Sequence, residues 1–423
     1  MENMIQNVDF SKYNNVFCDS LEALEWAYKN GLPKSAIVKS SAPAMLWDKK
    51  ININNIEARW TTDELEKFQE GVQELTELVF DSILSIPGVE REIALSVTDA
   101  VYRFQKIIYK AACLDESDFT DPRLFIYVDG ETGPSGNIMN SPWDQLLSPN
   151  PLFSMVNYTL RNDNWNQLTT QGISYWSRYK IAGFETIVYR LAKKIMKRLP
   201  SWLFTKELIV PNENELNIEI ASSLALHGVR ITELELDESF SIVKNKIIEG
   251  NIPTLYEVVQ PIMYERIEEW VTPSAVKITM LLFNSHLQEQ LKKFKLLVDK
   301  LENNIVKSHK RKQSVLMNAP GNIRGFALSY VCRKNGIPIM SSQHGVTVEI
   351  SKQHSMVRYE HDNSVADVMF SYNRKIIKVE KNTHFNHSKH YSVGMPFRLM
   401  RMKYANTTDR LALPIVFIST NLY

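Results

Sequence analysis

The stretch that most constrains the fold is Ser314 to Ser351, SVLMNAPGNIRGFALSYVCRKNGIPIMSSQHGVTVEIS. An apolar strand (VLM) enters a Pro-Gly loop (NAPGNIRG), an amphipathic helix follows (FALSYVCRKNG), and a second apolar strand (IPIMSS) ends on Gln343, His344 and Gly345. Strand, helix and strand in that order predict a βαβ unit with parallel strands. Its loops then lie at the carboxyl ends of the strands, the edge where open parallel sheets bind ligands.

The same grammar recurs upstream. Residues 15–46 give a strand (NVFC), a helix capped by Asp19 or Ser20, a Gly31-Leu32-Pro33 stop and a second strand (AIVKSS). Residues 207–234 repeat it: ELIV, a Pro-Asn-Glu-Asn loop, a helix ending at His227-Gly228, and VRITEL. Neither unit carries a Gly-x-Gly-x-x-Gly fingerprint, and NAPGNIRG lacks the lysine and hydroxyl residue of a P-loop. Between these units, residues 55–117 carry two long patterns with apolar residues three and four apart, the first opening at Thr61 or Thr62. Residues 160–206 and 238–312 also read as helical. The fold class this predicts is α/β, with Rossmann-like parallel sheets and helical insertions.

With 423 residues, two or more domains are expected. A net charge of +1 argues against a general polyanion binder, and no aromatic platform accompanies the basic helical segment that ends in KSHKRKQ, so no nucleic-acid partner is expected. Three widely separated cysteines form neither a disulfide framework nor a zinc spacing. The first residues lack an apolar signal core and no run approaches a membrane span, which together predict a cytoplasmic protein. The basic residues Lys193, Lys194, Lys197 and Arg198 form either a solvated helix face or a contact for an anionic glycan, a lipid head group or a membrane surface.

Candidate polar residues cluster at strand ends. Asp129 and Glu131 follow the strand RLFIYV and open a loop rich in glycine and proline, where they serve either turn chemistry or a substrate. Asn212, Glu213 and Asn214 follow ELIV, where they cap the next helix or face a ligand. Asn322 and Arg324 sit in the NAPGNIRG loop, whose main-chain N–H groups and following helix suit an anion. His344 is of the right type to accept a hydroxyl proton, and Glu349 is a second carboxylate nearby in sequence. His384, His387 and His390 form a polar histidine-rich loop rather than a metal set, because no acid or cysteine completes a known spacing. No cofactor signature is present.

From Ser314 to Pro396 the order is strand, APGNIRG, helix, NGIP strand, SSQHG, a following Glu, ADVMFSYN and VGMP. That order resembles bacterial surface-carbohydrate glycosyltransferases of the two-Rossmann-domain (GT-B) type, from capsule and lipopolysaccharide assembly, and the related CDP-glycerol glycerophosphotransferases. The resemblance implies a nucleotide-sugar donor, a glycan or lipid-linked glycan acceptor, and contact with the inner face of the membrane. It implies roles for His344 and Glu349 in catalysis. It implies a cleft lined by Asn322, Arg324, Gln343 and Gly345, to which Asp129, Glu131, Asn212 and Glu213 could be added from the other strand ends. The sugar could be a keto-sugar. It also implies that residues 1–396 form the amino-terminal, acceptor-side domain. Residues 397–423, ending in LPIVFISTNLY, would then be a connection and the first strand of a carboxyl-terminal domain that the chain lacks, unless that strand completes an existing sheet. Two other functions stay open: a non-catalytic Rossmann-like scaffold, and a transferase of glycerol phosphate or a similar phospho-alcohol.

Overall fold

The computed structural model describes residues 8–13, 15–18, 20–40, 45, 52–116, 122–128, 153–158, 175–234, 252–305, 312–343, 362–380, 383–397 and 400. Two parallel sheets organise them, so the α/β class expected from the sequence holds.

The first sheet is built from β1 (Asn15–Cys18), β2 (Val38–Ser40), β3 (Ile53–Asn55), β4 (Arg123–Val128) and β5 (Phe153–Tyr158), in the order β3-β2-β1-β4-β5. Every pairing is parallel. Helix α1 (Leu21–Lys29) links β1 to β2, capped by the Ser20 hydroxyl, which accepts the Ala23 N–H at 3.1 Å. Two strands, β3 and β5, are additions to the sequence reading. Each is short or lies beside a loop dense in turn residues, where an alternating pattern has little length in which to show itself.

Between β3 and β4 run α2 (Thr62–Leu84) and α3 (Arg91–Ala112). Helix α2 begins with a reciprocal cap, in which the Glu64 N–H donates to the Thr61 hydroxyl and the Thr61 N–H donates to the Glu64 carboxylate at 2.9 Å. Its buried stripe, Phe68, Val72, Leu75, Val79 and Ile83, keeps the three- and four-residue spacing of one helical face. The chain continues through α4 (Tyr175–Arg198), which breaks at Gly183 where φ is +72°.

The second sheet contains β6 (Lys206–Val210), β7 (Arg230–Glu233), β8 (Lys312–Asn318), β9 (Ile339–Ser342), β10 (Val368–Ser371) and β11 (Lys389–Ser392), in the order β11-β10-β9-β8-β6-β7. All of its pairings are parallel as well. Helix α5 (Glu215–Leu226) joins β6 to β7. Two long helices, α6 (Ile252–Trp270) and α7 (Pro273–Ile305), lie between β7 and β8, and α8 (Ile323–Lys334) joins β8 to β9. Apart from Phe397 and Met400, the connection and strand expected over 397–423 lie outside the described residues.

The helical insertions are not a separate body. Buried side chains of α2, α3, α6, α7 and α8 form one apolar cluster with Val315 and Met317 of β8, Ile209 of β6 and Phe17 of β1. Within that cluster the buried Asp99 carboxylate of α3 receives Arg103 Nε at 2.9 and 3.0 Å and Gln290 Nε2 of α7 at 2.7 Å. A charge taken out of water needs such partners.

A second polar clamp ties α3 to the amino edge of the second sheet. Glu92, buried, accepts from the Ser329 hydroxyl at 2.8 Å and pairs with Arg333, both on α8. Arg333 then reaches the Val365 carbonyl at 2.8 Å and Asp367 at 3.2 Å, and Asp367 accepts the Ile339 N–H at 2.8 Å. Burial would raise the Asp367 carboxyl. The interaction with His387, the Ile339 N–H and the Arg333 charge outweigh it, and the net pKa is lowered.

A lowered carboxyl stabilises the fold above its unfolded value near ~4, and the contribution is lost as pH falls through the folded value. Asp367→Asn is therefore expected to lower stability at neutral pH by on the order of 1 kcal/mol, the partial exposure of Asp367 being allowed for. The gap to the parent protein should close in acid. Urea denaturation of both proteins across that range measures it, and a gap independent of pH would refute the electrostatic account.

Candidate functional site

In the second sheet β6 and β8 are neighbours, yet their connections leave in opposite directions: α5 runs to β7 on one side and α8 to β9 on the other. This is a topological switch point, the place in open parallel sheets where diverging connections leave a crevice at the carboxyl ends of the two strands, here β6 and β8. The loops there are Pro211–Asn214 and Ala319–Asn322, and Ser342 and Gln343 close the row at the end of β9.

Asparagine side chains hold these loops together. Asn212 donates its amide N–H to the Asn318 carbonyl and accepts the Asn318 N–H at 2.7 Å, so one side chain satisfies both main-chain groups of the last residue of β8. Asn217, fully buried, donates to the Asn212 carbonyl at 3.2 Å. Asn214 caps α5 by accepting the Asn217 N–H at 2.7 Å, and its amide donates to the Ser342 hydroxyl at 3.0 Å and to the Gln343 carbonyl at 3.4 Å. The strand ends of β6, β8 and β9 are thereby fixed relative to one another.

The NAPGNIRG loop is a tight, partly strained turn. Ala319 has φ of +48°, a left-handed conformation uncommon outside glycine. Asn322 caps α8, accepting the N–H groups of Arg324 at 3.0 Å and Gly325 at 3.2 Å and donating to the Ala319 carbonyl at 2.8 Å. Gly325 is required by packing, because a Cβ built on it would lie 1.8 Å from the Pro320 carbonyl oxygen.

Of the residues singled out from the sequence, six fall on this site. Asn212, Glu213, Asn214, Asn322, Arg324 and Gln343 all lie at the carboxyl edge of the second sheet. Their side chains are not alike in availability. Gln343 is 2% exposed, its side-chain amide oxygen accepting the Tyr372 N–H at 2.8 Å while its main-chain N–H donates to the Phe370 carbonyl at 2.9 Å, so it pins the end of β9 to β10. Glu213 pairs with Lys193 of α4 at 2.8 Å, and Lys193 also meets Glu233 at 3.1 Å. Asn212 and Asn322 hold the loops. His344, Gly345, Glu349, Asp129 and Glu131 lie outside the described residues.

Asn318, Asn217 and Ser342 are members of the site that sequence reasoning passed over. The signal for the two asparagines was the repeated placing of that residue at strand ends and in the first helical turn, which acquires meaning only when β6 and β8 are known to be neighbours. The three histidines of the 384–390 segment part company: His384 meets Asp81 at 3.0 Å, His387 lies 3.8 Å from Asp367, and His390 meets Asn386 at 3.0 Å. Among the described residues no group of three metal-ligating side chains is assembled, and His390 lies on β11 rather than in a loop.

Two substitutions test the architecture. Asn212→Ala leaves the N–H and carbonyl of Asn318 without that partner and is expected to cost about 2–3 kcal/mol in a denaturant titration, whereas Asn212→Asp, which keeps the acceptor for the N–H, should cost less. Gly325→Ala is expected to cost at least as much, because the main chain of the turn must move, with a loss of soluble protein at moderate temperature as its simplest sign. A Gly325→Ala protein as stable as the parent would mean that the turn has slack.

Compared with family models, with curated proteins and with solved structures, the chain matches none, so the reading of this site rests on its own residues.

Proposed function

We propose that the chain acts in glycosyl transfer from a nucleotide-activated sugar to a glycan acceptor, with the crevice between β6 and β8 as one wall of the site. The observation that carries this reading is the switch-point crevice flanked by the amino ends of α5 and α8, two positive helix ends at the edge where parallel sheets receive anionic ligands. The motif order around it, QHG, ADVMFSYN and VGMP, adds the resemblance to surface-carbohydrate transferases.

In this proposal the acceptor hydroxyl forms a bond to the anomeric carbon as the bond from that carbon to the donor phosphate breaks. The hydroxyl proton passes to His344, which follows directly on the anchored Gln343. The leaving phosphate takes the electron pair and is stabilised by the α8 amino end and Arg324, and Glu349 orients the base. Asn212, Asn214 and Asn322 would contribute by holding the loops in place for that chemistry.

A non-catalytic scaffold is the second reading. It is favoured by the asparagines themselves, whose polar groups are engaged with one another and with main chain. Phospho-alcohol transfer is the third, separated from the first by assaying CDP-glycerol against sugar nucleotides.

If the first reading is right, His344→Ala lowers the transfer rate by on the order of 100- to 10,000-fold while nucleotide affinity stays the same. Arg324→Ala weakens nucleotide binding by roughly tenfold. Calorimetric titration with nucleotides and a transfer assay on the folded variants give both numbers. Unchanged transfer by His344→Ala would remove the base role, and the absence of any nucleotide binding would favour the scaffold.

A further inference from the structure

Helix α4 carries a feature that the crevice does not use. Past the break at Gly183 it has three faces. Tyr189 and Met196, seven residues apart, are buried in the cluster formed with β6, β7 and α5. Phe184, Leu191, Ile195 and Leu199, at intervals of seven, four and four, form a second stripe that is exposed, with Phe184 at 65%. The stripe is continued by the turn Ser201–Leu203, where Leu203 is exposed and Trp202 is 79% exposed. Arg190, Lys194, Lys197 and Arg198 form the third face, and all four are exposed. Among the described residues none of these four has an ion-pair partner, whereas Lys193, turned the other way, is held by Glu213 and Glu233.

We propose that this face of α4 docks on the surface of an anionic phospholipid bilayer. An exposed apolar stripe on a helix would ordinarily be covered by protein. The row of cations beside it selects an occupant that is apolar within and negatively charged at its surface, which is the make-up of an anionic leaflet. An exposed Trp at the end of the stripe suits the boundary between head groups and acyl chains. No described helix is long and apolar enough to cross a membrane, so the contact lies along the surface. The proposal stands on α4 alone and does not depend on the glycosyl-transfer reading.

The test is sedimentation of the full chain with vesicles of pure phosphatidylcholine and with vesicles in which about one third is replaced by phosphatidylglycerol. Binding to the anionic vesicles, weakened by salt, is expected, with little to the neutral ones. Lys194→Gln with Lys197→Gln should weaken it by roughly 25-fold, about fivefold per charge. Trp202→Ser with Leu203→Ser should weaken it by about tenfold or more. All four positions are exposed, so thermal unfolding of the variants should match the parent. The blue shift of tryptophan emission on adding anionic vesicles should be smaller in Trp202→Phe. Equal binding to both vesicle types, or to neither, overturns the proposal. So does concentration-dependent self-association that Trp202→Ser abolishes, which would make the face an interface between copies of the chain.

Discussion

The exchange of hydrogen bonds between Asn212 and Asn318 is the constraint on which the second half of the molecule turns. Neighbouring parallel strands are held by main-chain bonds along their length, but β6 and β8 part company at their carboxyl ends, because their helices leave toward opposite faces. The last N–H and carbonyl of β8 would there face a crevice without a strand partner. One asparagine amide supplies both an acceptor and a donor at the right separation and replaces the missing strand. Asn214 does similar work toward β9, and Gln343 toward β10, so the crevice is lined by side chains standing in for main chain.

The helical insertions meet this frame from the opposite edge. Glu92 and Arg91, at the start of α3, hold α8 and the segment around Ser364 and Phe385. Helix α8 is thus gripped at its amino end by Asn322 and the Pro320–Gly325 approach, and near its carboxyl end by Glu92 through Ser329 and Arg333. Its middle, Phe326, Leu328 and Val331, is buried in the core shared with α3 and α7. A helix fixed at both ends and packed along its length gives the crevice a rigid wall, and rigid elements are where precise polar geometry can be held.

Much of this was legible in the sequence. The strands of 15–18, 206–210, 312–318 and 339–342 announced themselves as apolar runs leading into polar or turn residues: Asp-Ser, Pro-Asn, Ala-Pro-Gly and Gln-His-Gly. The long helices announced themselves by periodicity and caps, and of the two openings the sequence offered for α2 it is Thr61 that caps it. Strand order was not legible. Parallel βαβ units fix handedness but not which strands become neighbours, so the pairing of β6 with β8 across about a hundred intervening residues could not be read from the chain. Without that pairing, Asn212 and Asn322 looked alike, as polar loop residues that either hold the turn into a helix or face a ligand. Gln343 likewise looked like a residue lining the cleft, although its side-chain amide oxygen is turned toward the Tyr372 N–H.

The site therefore contains two kinds of polar residue, and they answer differently to substitution. Asn212, Asn214, Asn217 and Gln343 hold main-chain groups that would otherwise be buried unpaired, at about 1–3 kcal/mol each, so changing them acts first on stability. A ligand entering the crevice could recruit those amides only by breaking bonds that already satisfy them. Its recognition has to come from helix amino ends, from main-chain donors of the Ala319–Gly325 turn, and from side chains that do not hold the frame. That division explains how a loop with a strained Ala319 and a glycine lying against the Pro320 carbonyl can persist: the surrounding amides over-determine its shape. The strain is tolerated at the turn that brings the start of α8 to the crevice, where any gain from a fixed geometry would be greatest.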